Sequence, residues 1–169
     1  MQAESDSHRI VVAPGSYDPV TNGHLDIISR AARVFDKVVV GIVNNPVRKS
    51  GTLFTAEERR DFLRSATADL DNVEIEIFSA LLVEFARDQG ATAIVKGLRA
   101  ISDFEYEFEM AQLNKQLDEE IESIYIIASP NYSFLSSTGV KELATFGGDV
   151  SELVPAPVAE ALAQRATAR

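Results

Sequence analysis

The sequence predicts a single α/β domain with a doubly wound, five-stranded parallel sheet and helices on both faces. Five short apolar runs alternate with segments of helical periodicity along the 169 residues. The run VVVGIV at residues 38–43 contains no polar residue, which is typical of a strand buried on both faces of a parallel sheet. No internal repeat or linker divides the chain, and its length fits one domain of roughly 100–200 residues.

The strands are predicted from apolar runs of strand length that polar or turn residues bound. They lie at residues 10–13, 38–43, 73–78, 92–96 and 123–128. Such an order of strands and helices places successive strands parallel, in a Rossmann-like arrangement.

The helices are predicted from apolar spacing and from capping residues. Two S/T-x-x-E capping boxes, Thr55 with Glu58 and Ser102 with Glu105, mark the starts of the second and fourth helices. The predicted helices lie at residues 25–35, 55–68, 81–89 and 102–117, after Ser136 up to a Gly-Gly stop, and at 157–165.

Composition limits the partners and the location. The chain carries 16 basic and 26 acidic residues, a net charge of −10, and no Lys/Arg stripe, so we expect neither nucleic acid nor an anionic membrane as partner. The absence of cysteine excludes disulfides, thiolate metal sites and cysteine nucleophiles. No run approaches the ~18 apolar residues that span a bilayer. We therefore expect a cytoplasmic protein with its domain at residues 9–169, after a disordered extension at residues 1–8.

The segment GSYDPVTNGH, from Gly15 to His24, joins the first strand to the first helix. Unpaired backbone N–H groups and the positive end of a helix dipole at such a junction attract phosphate. Gly15 and Gly23 allow a phosphate to approach the backbone, and His24 supplies a donor. Taken alone, the segment fits an ordinary strand–loop–helix turn with a surface histidine equally well.

Three further polar segments follow strands two, four and five. They are NPVRKSG at residues 45–51, Lys96-Gly97-Leu98-Arg99, and Ser136-Ser137-Thr138 with Lys141. The carboxyl ends of parallel strands meet at one edge of a sheet, so one composite anion site is predicted there. Considered singly, Arg48 and Lys49 fit a solvated loop and residues 136–138 fit helix capping.

Several chemistries lack their motifs. The chain has no GxxxxGK[ST] or GxGxxG phosphate loop, no G-x-S-x-G elbow and no H-E-x-x-H zinc motif. A single histidine among phosphate-binding groups favours transition-state stabilisation in phosphate chemistry over activation of a nucleophile.

Three motifs carry a family resemblance. PGSYDPVTNGH, KGLRAISDFEYE and NYSFLSSTGVKE resemble, in order and spacing, the bacterial phosphopantetheine adenylyltransferase family of the nucleotidylyltransferase superfamily. The resemblance extends from Arg9 to Leu162. It implies transfer of AMP from ATP to 4′-phosphopantetheine, giving dephospho-coenzyme A and pyrophosphate by direct in-line displacement.

The resemblance also implies the roles of individual residues. His24, Ser16 and Lys96 would be catalytic, with His24 donating to the α-phosphate. Ser16, Arg48, Leu82 and Lys96 would bind the acceptor. The nucleotide would be held by Gly15, Ser16, His24, Gly97, Leu98, Arg99, Glu107, Tyr132, Ser133, Phe134, Leu135, Ser136, Ser137 and Thr138.

Further implications are a Mg²⁺ cofactor on the triphosphate, for which the sequence shows no side-chain ligand, coenzyme A as a feedback ligand, and a homohexamer. The sequence departs from the family pattern at Ser16, where threonine is common, at Arg48, where lysine is usual, and at Thr138-Gly139 in the serine-rich motif. Two rivals stay open: transfer of AMP or CMP to another phosphate, such as nicotinate mononucleotide or glycerol phosphate, and a nucleotide-binding regulatory module without catalysis.

Overall fold

The computed structural model describes residues 9–46 and 51–167, and within them the five predicted strands form one parallel sheet. The strands are β1 (Ile10–Gly15), β2 (Lys37–Val43), β3 (Val73–Phe78), β4 (Ala93–Leu98) and β5 (Glu122–Ile127). Their order is β3-β2-β1-β4-β5, and all neighbouring pairs are parallel. The chain therefore runs outward from β1 in both directions, which confirms the doubly wound sheet.

Helices connect and cover the strands. In the described part of the chain they are α1 (Asn22–Ala32), α2 (Ala56–Ala66), α3 (Leu82–Asp88), α4 (Ile101–Leu117), α5 (Ser137–Thr145) and α6 (Ala156–Thr167), with a 3-10 turn at Pro130–Tyr132. None of these helices is long and apolar enough to cross a membrane.

The core lies on both faces of the sheet, because successive side chains of a strand point to opposite faces. On one face Val11 of β1 belongs to the same buried cluster as Ile28 of α1 and Val158 of α6. On the other face Val12 packs in a separate cluster with Phe85 of α3. The predicted burial of β2 on both faces is confirmed, since its central residues are almost completely inaccessible.

Helix α1 begins at Asn22, three residues before the predicted start, because Thr21 caps it. The Thr21 hydroxyl accepts from the His24 backbone N–H at 3.3 Å, and the Thr21 N–H donates to His24 Nδ1 at 3.0 Å. This is a capping box with histidine in the place where Glu or Gln usually stands.

One predicted capping box is wrong and the other is confirmed. Helix α4 begins at Ile101 after an extended Ala100 that makes no side-chain cap, so Ser102 lies inside the first turn. The box of Thr55 with Glu58 does open α2, with the Thr55 N–H donating to Glu58 Oε2 at 2.8 Å. The bounds of β3 agree with the predicted ones, and other element ends differ by at most three residues. The predicted extension at residues 1–8 lies outside the described residues.

Candidate active site

The polar segments at the carboxyl ends of β1 and β4 border one cleft. The β1–β4 ladder comprises two residue pairs, Val11 with Ala93 and Val12 with Ile94, whereas six pairs join β1 to β2. Beyond this short ladder the strand ends line a cleft of about 350 Å³. The cleft lies where the strand order reverses, which is where ligands bind in open α/β sheets.

The structure brings together residues that the sequence singles out after β1, β4 and β5. Those that line the cleft are Gly15, His24, Lys96, Gly97, Arg99, Glu107, Tyr132, Leu135, Ser136, Ser137 and Thr138. Those that do not line it are Ser16, Leu82, Leu98, Ser133 and Phe134. Arg48 and Lys49 lie outside the described residues.

The cleft also contains residues that the sequence analysis did not select. Asp103 is one of them. It follows Arg99 by four residues, a spacing that predicts an ion pair on a helix. Ile27 and Ala128 are others, and neither carries a chemical signal in the sequence.

The capping box fixes the tautomer of His24. Because the Thr21 N–H donates to Nδ1, that nitrogen is an acceptor, and we assign the proton of the neutral ring to Nε2. The imidazole also meets the ring of Tyr17 edge to face, with centroids 5.0 Å apart. The fold therefore holds the imidazole at the cleft with Nε2–H as its donor.

The buried ring of Tyr17 packs beside Gly15. Its φ of 48° lies in the left-handed region that favours glycine, and its hydroxyl donates to the Ala13 carbonyl at 2.9 Å. Burial raises the pKa of Tyr17 above its ordinary value, so the phenol stays neutral. A Cβ at Gly15 would lie 3.0 Å from the Tyr17 ring, which explains why glycine stands there.

Lys96, near the end of β4, and Arg99, directly after it, each have a carboxylate partner. Lys96 Nζ lies 2.7 Å from Glu107 Oε1, and the other oxygen of Glu107 is buried without a hydrogen-bond partner among the described residues. Arg99 contacts Asp103 Oδ2 at 3.2 Å and donates to the Leu135 carbonyl at 2.6 Å. Arg99 thus links the segment after β4 to the loop before α5 across the cleft.

The hydroxyls at the start of α5 divide between local roles and the cleft. Ser136 accepts from the Gly139 N–H at 3.0 Å, as an N-cap does, and Ser137 donates to the Pro19 carbonyl at 2.8 Å. Thr138 is exposed. The capping interpretation of Ser136 therefore holds, although the helix N-terminus still borders the cleft.

Lys141 does not join the cleft as the sequence analysis expected. Its Nζ lies 3.0 Å from Oδ2 of Asp18, a completely buried carboxylate. Asp18 also accepts from the backbone N–H groups of Leu53 and Phe54, each at 2.9 Å. Because a buried carboxylate needs a charged partner, Lys141 neutralises Asp18 instead of facing a ligand.

Asp26 ties α1 to the end of β5. Its Oδ2 accepts from the Ser129 hydroxyl at 2.8 Å and from Arg30 at 3.1 Å, and Arg30 donates to the Ile127 carbonyl. Burial opposes ionisation of Asp26, but the hydrogen bonds from Ser129 and Arg30 outweigh it and lower the pKa of this carboxyl. Helix α1, which carries His24 in its first turn, is thereby anchored to the end of β5.

The described residues contain no group of three or more His, Cys, Asp or Glu side chains that could hold a metal ion. At the cleft, Asp103 and Glu107 each pair with a cation, and Glu107 Oε2 is buried without a hydrogen-bond partner among the described residues. Mg²⁺ is usually bound by one or two carboxylates together with substrate phosphates. This donor set fits an ion that arrives on a triphosphate and not one held by the protein alone.

A cleft at the switch point of a parallel sheet, lined by two ion-paired cations and by a histidine in the first turn of a helix, is typical of a nucleotidyltransferase-type protein. Residues 12–143 match the cytidylyltransferase-like family. The fold is similar to a putative nicotinate-nucleotide adenylyltransferase from Vibrio parahaemolyticus, with a TM-score of 0.68, 16% identity and 94% of each chain covered. It also resembles a bifunctional NMN adenylyltransferase/ADP ribose pyrophosphatase from Francisella tularensis, with a TM-score of 0.66, 19% identity, and 93% of this chain and 49% of that one covered.

Sequence relatives give the particular family. The chain is 50% identical over 157 residues to a phosphopantetheine adenylyltransferase from Caldanaerobacter subterraneus subsp. tengcongensis, covering 93% of this chain and 97% of that one. It is 51% identical over 156 residues to a protein of the same name from Heliobacterium modesticaldum, covering 92% of each. The chain belongs to the phosphopantetheine adenylyltransferase family.

Proposed function

We propose that this protein transfers AMP from ATP to 4′-phosphopantetheine, a step of coenzyme A biosynthesis. An oxygen of the acceptor phosphate attacks the α-phosphorus, and the bond to the β-phosphate oxygen breaks. The products are dephospho-coenzyme A and pyrophosphate. The observation that carries the proposal is identity of about 50% to two phosphopantetheine adenylyltransferases over more than nine-tenths of the chain.

His24 is the proposed transition-state donor. Negative charge increases on the α-phosphate oxygens during displacement, and a fixed donor aimed at that charge stabilises it. With Nδ1 accepting from the Thr21 N–H, Nε2–H is the donor that we assign to this role. No covalent intermediate is needed, so catalysis consists of positioning and electrostatic stabilisation.

The proposed phosphate contacts are made at the carboxyl end of β4 and at the start of α5. Lys96 binds the acceptor phosphate, and Arg99 and the N-terminus of α5 bind the nucleotide phosphates. The anionic ligand would compete with Glu107 for Lys96 and so exchange one ion pair for another. Ser16, Leu82 and Arg48 are proposed for the acceptor from the family motif alone.

Mg²⁺ is the proposed cofactor. When bound to the triphosphate, it would neutralise part of the charge that a chain of net charge −10 repels. Coenzyme A shares most of its atoms with the product and is therefore proposed to compete for the same cleft as a feedback ligand. Because ATP is the donor, we place the reaction in the cytoplasm.

A homohexamer, a dimer of trimers, is the proposed assembly. Helix α4 has 17 residues, of which only Asn114 is buried, and several of its apolar side chains are exposed. Large exposed apolar side chains grouped on one helix favour an interaction site, and closed symmetric oligomers are the usual solution for soluble chains. The exposed apolar residues of α4 are Ile101, Phe104, Phe108, Leu113 and Leu117.

The proposal is tested by pyrophosphate release with ATP and alternative acceptors. We expect turnover with 4′-phosphopantetheine and at most background turnover with nicotinate mononucleotide or glycerol phosphate. Turnover with one of the latter instead would assign the chain to another acceptor. ATP binding without turnover on any acceptor would favour a regulatory module.

A further inference from the structure

Arg59 of α2 is a buried cation whose hydrogen bonds all go to backbone carbonyls. It is 1% exposed, and its guanidinium donates to the carbonyls of five residues. The acceptors are Ser16 at 2.7 Å, Val43 at 2.9 Å, Asn44 at 3.1 Å, Phe54 at 3.2 Å and Thr55 at 3.2 Å. Among the described residues no carboxylate lies within ion-pair distance of it.

These carbonyls belong to three separate stretches of chain. Ser16 follows β1, Val43 ends β2 and Asn44 follows it, and the last two carbonyls lie directly before α2. Only arginine has a planar fork of N–H donors that can reach so many acceptors at once, since lysine has three donors on one nitrogen. Arg59 therefore fixes the distance and orientation of the three stretches relative to one another.

The bond to Ser16 holds a peptide next to a strained residue. Tyr17, which follows Ser16, has the positive φ of 48° that non-glycine residues rarely adopt. Two hydrogen bonds bracket this conformation: Arg59 holds the Ser16 carbonyl, and the Tyr17 hydroxyl is bonded to Ala13. Loss of the first bond would remove one of the two hydrogen bonds that bracket the strained Tyr17 conformation.

Burial of an unpaired charge is costly, which argues against a role in packing alone. Burial lowers the pKa of Arg59, against the opposing influence of Asp18 and Glu57, and guanidinium nevertheless stays charged in proteins. An apolar residue of similar volume would fill the space at less cost. The five carbonyl bonds are what the arginine adds.

We propose that Arg59 is a positioning residue for adenylyl transfer that sets the Ser16 peptide and the adjoining ends of β2 and α2 from behind the cleft. Arg59 does not line the cleft itself, so it acts through the backbone of Ser16. The inference rests on the proposed function, in which Ser16 contacts the acceptor. Loss of the Arg59 side chain should change the positioning of the substrate more than it changes the fold.

Arg59→Lys, which keeps the charge but loses the fork, is the main test, with Arg59→Ala as the second variant. The matched control is Asn72→Ala, because Asn72 also donates to two backbone carbonyls, those of Ala32 and Phe35. Asn72 lies directly before β3, at the amino ends of the strands, whereas the cleft lies at their carboxyl ends. All variants are assayed well below their Tm, after circular dichroism has shown that they are folded.

We expect Arg59→Lys to lower kcat/KM for the acceptor at least tenfold, while Asn72→Ala lowers Tm and leaves kcat/KM within twofold of wild type. In a Ser16→Ala background, Arg59→Lys should cause little further loss, because both changes act on the same contact. Added guanidinium ion should restore part of the activity of Arg59→Ala and none to the control.

The proposal is overturned by unchanged acceptor kinetics in Arg59→Lys, by losses that multiply fully with those of Ser16→Ala, or by failure of both Arg59 variants to fold. Failure of the proposed function shows up separately, as absence of wild-type turnover on 4′-phosphopantetheine. In that case the same variants are compared on whichever phosphate acceptor the wild type uses.

Discussion

Replacement of His24 separates its catalytic role from its structural one. His24→Ala removes the proposed Nε2–H donor and also the Nδ1 acceptor of the Thr21 N–H, while the Thr21 hydroxyl still caps α1. One intramolecular hydrogen bond contributes roughly 0.5–1.5 kcal/mol to stability. At about 2–4 °C for each kcal/mol in a chain of this size, we expect Tm to fall by a few degrees.

The effect on rate should be much larger than the effect on stability. Loss of one donor that acts mainly in the transition state typically lowers kcat by about 10²–10³, or roughly 2.7–4 kcal/mol. Such a loss leaves KM nearly unchanged, because ground-state binding does not use the interaction. The assay is steady-state pyrophosphate release with each substrate varied in turn, together with direct measurement of ATP binding.

Two further variants make the comparison sharper. In His24→Gln the side-chain oxygen can still accept from the Thr21 N–H, as Gln does in capping boxes, so Tm should stay near that of wild type while kcat is intermediate. Glu58→Ala disrupts the corresponding capping box of α2 and should lower Tm without lowering kcat. If His24→Ala keeps kcat within a few-fold and mainly raises KM, the histidine is a ground-state ligand and the reasoning is refuted.

Three other perturbations test the phosphate site, the assembly and the anchoring of α1. Lys96→Ala should lower kcat/KM by about one to two decades, since a charge-assisted hydrogen bond is worth roughly 1.5–3 kcal/mol; unchanged kinetics would place the phosphate site elsewhere. If the proposed hexamer forms, Phe108→Glu on α4 should convert it into smaller species in sedimentation velocity, and a wild-type monomer at micromolar concentration would contradict the assembly itself. Because Ser129 and Arg30 lower the pKa of Asp26 in the folded state, its contribution to stability is present above the unfolded pKa of about 4 and is lost as the pH falls below it. Asp26→Asn should therefore be less stable to urea at pH 7 and show a shallower loss on acidification, whereas parallel pH curves for the two proteins would count against this cause.

The sheet was predictable because burial on both faces leaves a direct signal in the sequence. A strand such as β2 needs apolar side chains at every position, so its run of β-branched residues specifies both its type and its place in a parallel sheet. Helix starts were less predictable because they depend on which residue finds a partner. Thr21 obtains its reciprocal bond from a histidine, whereas Ser102 has the expected glutamate three residues later and still lies inside α4.

The members of the site were predictable but their pairing was not. The ends of β1 and β4 must meet in this topology, so His24, Lys96 and Arg99 could be placed at one edge of the sheet. The contact of Lys96 with Glu107 depends on how α4 packs against β4 and β5, which no local pattern specifies. For the same reason the pairing of Lys141 with Asp18, 123 residues earlier in the chain, became visible only in the fold.

The burial of Arg59 is missed when charged residues are read as surface residues without regard to the helical spacing of the apolar residues around them. It belongs to the run EERR at residues 57–60, which suggests a solvated helix face. The buried residues of α2 are, however, Ala56, Arg59 and Leu63, at the spacing of three and four that defines one helical face. A cation within an apolar stripe has to satisfy its donors inside the protein, and the nearest acceptors are the carbonyls at the ends of neighbouring strands. Ligands bind at those same strand ends in a doubly wound sheet. A buried arginine on a helix that covers the sheet is therefore expected to stabilise the binding site.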